Sequence, residues 1–154
     1  MFLFSNKKWK FVFRNSLYLY QMENHLNKSI VFYDGDCGFC NSSVQFVLNR
    51  RKRDVFFLPL QSYLAVGIMK KHGVTIEMNT MYFLNKGKLY DKSSAVLRVN
   101  LLLRFPYPVF FYLGIIVPRF LRNWIYDQIA NRRHKIKNGF CVLPKPEERR
   151  LFLD

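Results

Sequence analysis

Residues 30–41 read IVFYDGDCGFCN and constrain the fold more than any other stretch of the chain. Ile30, Val31, Phe32 and Tyr33 have the β-branched and aromatic character of a short buried strand, which stops abruptly at the turn signal Asp34-Gly35-Asp36. Cys37 and Cys40 follow, and then a polar, amphipathic stretch begins. The pattern predicts a strand, a tight turn and a helix whose first turn carries both thiols. Residues three apart on a helix are surface neighbours, so the two Cα atoms should lie about 5–5.5 Å apart, within the range a disulfide tolerates. Such a pair can open and close with little backbone movement. A dithiol at the mouth of a strand–helix unit points to thiol–disulfide chemistry.

The rest of the chain extends this unit. Val44, Val47 and Leu48 give residues 40–51 an apolar face at helical spacing, and the cations Arg50 to Arg53 suit the negative end of that helix. Residues 55–58 predict a second strand, limited by Pro59. Residues 62–72 predict a second helix, with Ser62 as N-cap and Gly73 as its stop. A third strand over residues 80–85 turns at Lys86-Gly87 into a fourth over 88–90, a hairpin. Ser93 or Ser94 would cap a third helix over 95–103, carrying Val96, Val99, Leu102 and Leu103. Pro118 can open another over 119–132, with Phe120, Trp124, Ile125 and Ile129 on its apolar side and the aromatics at core spacing. A connector over 139–144 and a terminal turn or helix over 147–153 complete the chain. The class is α/β, with the order β-α-β-α-β-β-α and additional C-terminal helices; two parallel strands with helical crossovers are the natural start.

At 154 residues and 50% hydrophobic content, one domain with a real core is the simplest organisation. Residues 30–154 form that domain. Residues 1–29, rich in Phe, Lys and Tyr with Glu23 the only acid, do not match it and read as an N-terminal extension. Translation from Met22 would make the first 21 residues upstream sequence. The extension lacks the small-residue cleavage site of a secretory signal. Three cysteines are too few for a secreted disulfide framework and fit a reducing compartment, so the expected location is cytoplasmic.

The net charge of +15 predicts attraction to anionic surfaces. The longest uncharged apolar run, residues 105–117, is too short to span a bilayer and is interrupted by Pro106 and Pro108. It is expected in the core. The other reading places it in a membrane interface beside Arg104, Arg119 and Arg122, as a weak peripheral association with an anionic membrane surface. No specific nucleic-acid binding is expected, because no stacking platform is indicated.

A CxxC after the first strand of a β-α-β-α-β-β-α order resembles the thioredoxin superfamily. More closely, Tyr33-Asp34-Gly35-Asp36-Cys37-Gly38-Phe39-Cys40-Asn41 resembles the signature of the DCC family, small thiol–disulfide oxidoreductases named for an Asp-Cys-Cys motif. The resemblance continues through Phe57-Leu58-Pro59-Leu60-Gln61-Ser62, Ser93-Ser94-Ala95-Val96-Leu97, Tyr126, Asn131-Arg132, and residues 141–144 to 152–154. It implies a thioredoxin-like domain whose only redox group is the Cys37–Cys40 pair, with no added cofactor. It also implies a protein or low-molecular-weight thiol or disulfide as partner. Two departures from thioredoxins stand out. Gly38-Phe39 lies between the cysteines where thioredoxins carry Gly-Pro, and Asn79-Thr80-Met81 lies where a cis-proline usually precedes the strand facing the dithiol.

Cys37 is the candidate nucleophile, since a helix N-terminus favours a thiolate, and Cys40 the resolving thiol. The Asp-Gly-Asp turn argues against burial of the pair. Asp34 and Asp36 oppose the helix: a carboxylate roughly 7 Å from a thiolate costs about 2 kcal/mol at an effective dielectric near 20. One of them is a candidate proton acceptor during resolution; as structural roles, Asp36 would cap the helix and Asp34 form the turn. Cys141 reads as a packed small residue, with a third redox thiol, or a zinc site with Cys37, Cys40 and His134, as alternatives. Two other functions compete. Asp34 and Asp36 could be nucleophile and acid of a haloacid-dehalogenase-type phosphohydrolase, and the basic surface could serve a non-catalytic module binding an anionic surface.

Overall fold

The computed structural model describes residues 24–132 and 145–153. Cys141, His134 and the connector over 139–144 lie outside the described residues. Four strands form one sheet: β1 (Ile30–Tyr33), β2 (Phe56–Pro59), β3 (Tyr82–Asn85) and β4 (Lys88–Asp91), in the spatial order β2-β1-β3-β4. β1 and β2 are parallel, linked through helix α1 (Gly38–Arg50); β3 runs antiparallel to β1, and β4 antiparallel to β3. Helix α2 (Tyr63–Lys71) joins β2 to β3, and α3 (Lys92–Asn100) follows β4. This is the expected β-α-β-α-β-β-α order of a thioredoxin-like fold, extended by α4 (Pro108–Ile116), α5 (Arg119–Arg132) and a 3₁₀ turn (Pro146–Leu151).

The period of two along each strand divides the core into two layers. Ile30, Phe32, Leu58, Tyr82 and Leu84 face α2, where they meet Ala65, Ile68 and Met69. Val31, Phe57 and Phe83 face the opposite way, against Val44, Val47 and Leu48 of α1 and Ala95 and Val99 of α3. Phe32, Phe57 and Phe83 are fully buried, each contributing about 1.5–3 kcal/mol by leaving water. A one-residue slip of β1 would exchange the two layers, so the pattern also sets the register.

Local signals end the elements. The Ser62 hydroxyl accepts from Ala65 N–H at 3.2 Å, capping α2, and Gly73 (φ +66°) ends it in the left-handed region. Lys86 (φ +48°) and Gly87 (φ +75°) are both left-handed, the two-residue turn whose twist suits a hairpin. Residues 24–29 dock on the sheet, with Gly87 N–H donating to Leu26 C=O at 2.9 Å and the Ser29 hydroxyl to Asn85 Oδ1 at 3.1 Å. At the other edge, Leu153 N–H donates to Phe57 C=O at 3.0 Å and Phe152 stacks on Phe57, covering β2.

Several expectations are corrected. α3 starts at Lys92 with Asp91 at the N-cap position, so neither Ser93 nor Ser94 caps it. Both serines are buried in its first turn. The backbone of Thr80 closes a turn onto Glu77 C=O, and β3 therefore begins at Tyr82. The larger correction concerns the C-terminal helices. The apolar run expected in the core becomes α4, which buries none of its residues: Val109, Phe110, Tyr112, Leu113, Ile115 and Ile116 are exposed. α5 is turned the same way. Its apolar side, Phe120, Trp124, Ile125 and Ile129, faces outward, whereas Asn123, Tyr126, Asp127 and buried Ala130 face the domain.

Candidate active site

The parallel pairing of β1 with β2 builds the site. Tyr33 lies opposite Pro59, the last residues of their strands, so the two chains leave the sheet side by side. One becomes Asp34-Gly35-Asp36 and the other Leu60-Gln61-Ser62. β3 enters at the same end, since Tyr82 pairs with Phe32.

The turn is held from both sides. Asp34 Oδ1 accepts from Asp36 N–H at 3.1 Å, an Asx-type turn, and from Gln61 Nε2 at 2.8 Å. Gln61 Oε1 in turn accepts from Gly35 N–H at 3.3 Å, and Gly35 C=O accepts from Asn41 Nδ2 at 3.3 Å. Cys37 N–H donates to Asp34 C=O at 3.2 Å. Asp34 is buried, and its structural role is that of turn former. Asp36 is exposed, with Oδ2 3.4 Å from Gln61 Nε2. It does not cap the helix, because the N-cap residue is Cys37 (φ −98°, ψ 115°).

Cys37 thus occupies the position where an oxygen-bearing side chain usually meets the unpaired N–H groups of a first turn. Cys40 is three residues on, in that first turn, and both cysteines are thiols. No acidic residue lies in the first turn of α1. The expectation that the turn keeps the pair out of the core is not met, for Cys37 is 7% exposed and Cys40 8%. The reason is helical spacing: Cys40, Val44 and Val47 fall at i, i+4 and i+7 and share the buried face of α1.

The entrance to β3 is fixed by α5 and α3. Met81 N–H donates to the Tyr126 hydroxyl at 2.8 Å, and Met81 C=O accepts from Lys92 N–H at 3.0 Å. The Lys92 ammonium reaches Asp127 at 3.0 Å, and this carboxylate raises the Lys92 pKa above its ordinary value. The Ser93 hydroxyl bonds Asn123 Oδ1. These five polar residues, Tyr126, Lys92, Asp127, Ser93 and Asn123, tie α3 and α5 together beside the entrance to β3. A groove of about 750 Å³ borders this entrance, lined in part by His72, Glu77, Thr80, Tyr82, Asp91 and Lys92; neither cysteine lines it. Burial raises the pKa of Tyr82 within it.

Sequence reasoning assigned no role to Gln61, Asn41, Tyr126 or Asn123. The signal for Asn41, Gln61 and Tyr126 was present, since all three fall within the segments of resemblance, but the partners of Gln61 and Tyr126 follow only from the strand register and the docking of α5.

Residues 31–138 match the family described as DCC1-like thiol-disulfide oxidoreductase. The uncharacterized protein YuxK of Bacillus subtilis (strain 168) is 34% identical over 128 residues, covering 80% of this chain and 93% of the relative. The chloroplastic DCC family protein At1g52590 of Arabidopsis thaliana is 28% identical over 120 residues, 75% of this chain and 70% of the relative. No solved structure matches. The matched segment contains the Asp-Gly-Asp turn, both thiols, Gln61 and Tyr126, and the chain belongs to the DCC1-like thiol-disulfide oxidoreductase family.

Proposed function

We propose that this chain exchanges disulfides with a protein or low-molecular-weight thiol partner through Cys37 and Cys40, with no cofactor beyond that pair. The observation that carries the reading is the placement of two thiols at the N-cap and in the first turn of one helix, behind a turn held by Gln61 and Asn41. The N–H groups of that first turn and the positive end of the helix stabilise negative charge as it develops on the Cys37 sulfur.

The Cys37 thiolate attacks one sulfur of a substrate disulfide. The substrate S–S bond breaks, a Cys37–substrate disulfide forms, and the other substrate sulfur leaves as a thiolate that takes up a proton. Cys40 gives up its proton and attacks the Cys37 sulfur. The mixed disulfide breaks, the second substrate thiolate is released, and the Cys37–Cys40 disulfide remains. Two electrons have passed to the substrate, and the reverse sequence oxidises a dithiol. Asp36, exposed and adjacent in sequence to Cys37, is the proposed proton acceptor from Cys40; Asp34 holds the turn. We place the activity in a reducing, cytoplasmic setting.

The phosphohydrolase reading is disfavoured by the same geometry. It needs a free Asp34 carboxylate oxygen aimed at substrate, whereas Asp34 Oδ1 already accepts from Gln61 Nε2 and from the Asp36 backbone and is committed to holding the turn.

Trapping tests the proposal. Cys40→Ser should accumulate a reducible mixed disulfide at Cys37 with an added disulfide such as oxidised glutathione. Cys37→Ser should not form one at Cys40 at a comparable rate. Equal trapping at both positions, or none, would refute the assignment of nucleophile and resolving thiol.

A further inference from the structure

α4 and α5 each leave apolar side chains uncovered among the described residues. α4 carries no charged residue in nine positions, and its outward side includes Leu113, 58% exposed, and Ile116, 79% exposed. α5 begins after only two intervening residues and leaves Phe120 76% exposed and Trp124 60% exposed. An ordinary surface helix turns such a stripe toward the core. Here Asn123, Tyr126 and Asp127 take the inward side and are engaged there by Ser93, Met81 and Lys92. The one acidic residue of residues 104–138 is thereby turned away from the outer face.

Cations frame the surface. Arg104 is exposed just before α4, and Arg132 is exposed at the end of α5. Arg119, at the start of α5, pairs with Asp91 yet keeps 61% of its side chain exposed.

We propose that the α4–α5 face is a docking surface for an anionic lipid bilayer, on which the protein lies with the apolar side chains of both helices at the acyl boundary and its arginines among the headgroups. Nine residues of helix extend only about 13 Å against a hydrocarbon core of about 30 Å, so α4 rests in the interface. Consistent with this, no helix among the described residues is long and apolar enough to cross a membrane. Charge decides against a second copy as occupant. Pairing this face with itself would bring together two arginine-framed surfaces of chains that each carry +15. An anionic bilayer supplies both the apolar layer and the counter-charge. The inference does not rest on the dithiol chemistry.

The test is co-sedimentation of the full chain with phosphatidylcholine vesicles, with and without about 30% phosphatidylglycerol. In a Trp9→Phe background Trp124 is the sole tryptophan, and its emission should shift to the blue on binding the anionic vesicles. Leu113→Glu with Ile116→Glu should weaken binding at least about 10-fold, and Arg104→Gln or Arg132→Gln about 5-fold each, with the redox transition of the Cys37–Cys40 pair unchanged. Equal binding to neutral vesicles, no binding to either, or binding that survives the double glutamate variant would overturn the proposal. A concentration-dependent dimer that Ile116→Glu dissolves, without vesicle binding, would assign the face to a second copy instead.

Discussion

Gln61 Nε2 donates to Asp34 Oδ1 at 2.8 Å, joining the first residue after β1 to the second residue after β2. With its Oε1 on Gly35 N–H, the one amide of Gln61 holds both a carboxylate and a peptide group of the turn that delivers Cys37 to its helix. The dithiol is therefore positioned by the neighbouring strand as well as by its own helix.

Removing that amide should loosen the turn. Gln61→Ala should lower stability by about 1 kcal/mol in urea denaturation of the reduced protein. Gln61→Glu should cost more, since it replaces the donor to Asp34 by a third carboxylate beside Asp34 and Asp36. Both variants should also speed alkylation of the buried Cys37 or spread it over several phases. Unchanged midpoints and single-phase, wild-type alkylation would show that Gln61 is dispensable to the turn.

Tyr126 holds the other wall. Tyr126→Phe keeps the ring and deletes the acceptor at 2.8 Å from Met81 N–H. Leaving that amide unpaired should cost about 1–3 kcal/mol and raise its hydrogen-exchange rate selectively. A loss of activity larger than the loss of folded protein would mark the β3 entrance as part of substrate docking. Slow exchange retained at Met81 would contradict the contact.

The docked segment before β1 should respond to acid. Burial, and secondarily the charge of Lys28, lower the pKa of His25 below 6.5, and its Nδ1 is buried without a hydrogen-bond partner. The folded state thus disfavours the imidazolium. The contribution of neutral His25 is fully present above pH 6.5 and is lost as pH falls through its lowered folded value. Protection of the Gly87 amide, which donates to Leu26 C=O, measured relative to its intrinsic exchange rate at each pH, should fall on acidification below pH 6.5 in the wild type. It should change less in His25→Gln. A profile identical in both proteins would exclude His25 as the titrating group.

The sequence made local structure legible wherever one residue type carries one physical role. The β-branched run from Ile30 ends at an Asp-Gly turn, Ser62 has the hydroxyl that an N-cap needs, and Lys86-Gly87 is a hairpin turn; the structure places all three as expected. Periodicity was equally clear in α5, where Phe120, Trp124, Ile125 and Ile129 do share a side. A period says which residues share a face and not which face looks inward. The competing signal, Asn123, Tyr126 and Asp127 at i, i+3 and i+4, gains meaning only once Ser93, Met81 and Lys92 are known to await it. The same holds for Gln61, whose reach to Asp34 depends on the Tyr33–Pro59 register. Burial of Cys40 was readable from its spacing to Val44 and Val47, but the polar turn before it pointed the other way.

The central claim is that Cys37 and Cys40 act as one redox unit, and a redox titration of the full chain tests it most directly. The protein is equilibrated across glutathione ratios, quenched by alkylation and mapped by mass. The account predicts a single reversible two-electron transition in which Cys37 and Cys40 lose and regain alkylation together, while Cys141 does not follow. Two cysteines that alkylate independently at every ratio, with no bond formed between them, would contradict it.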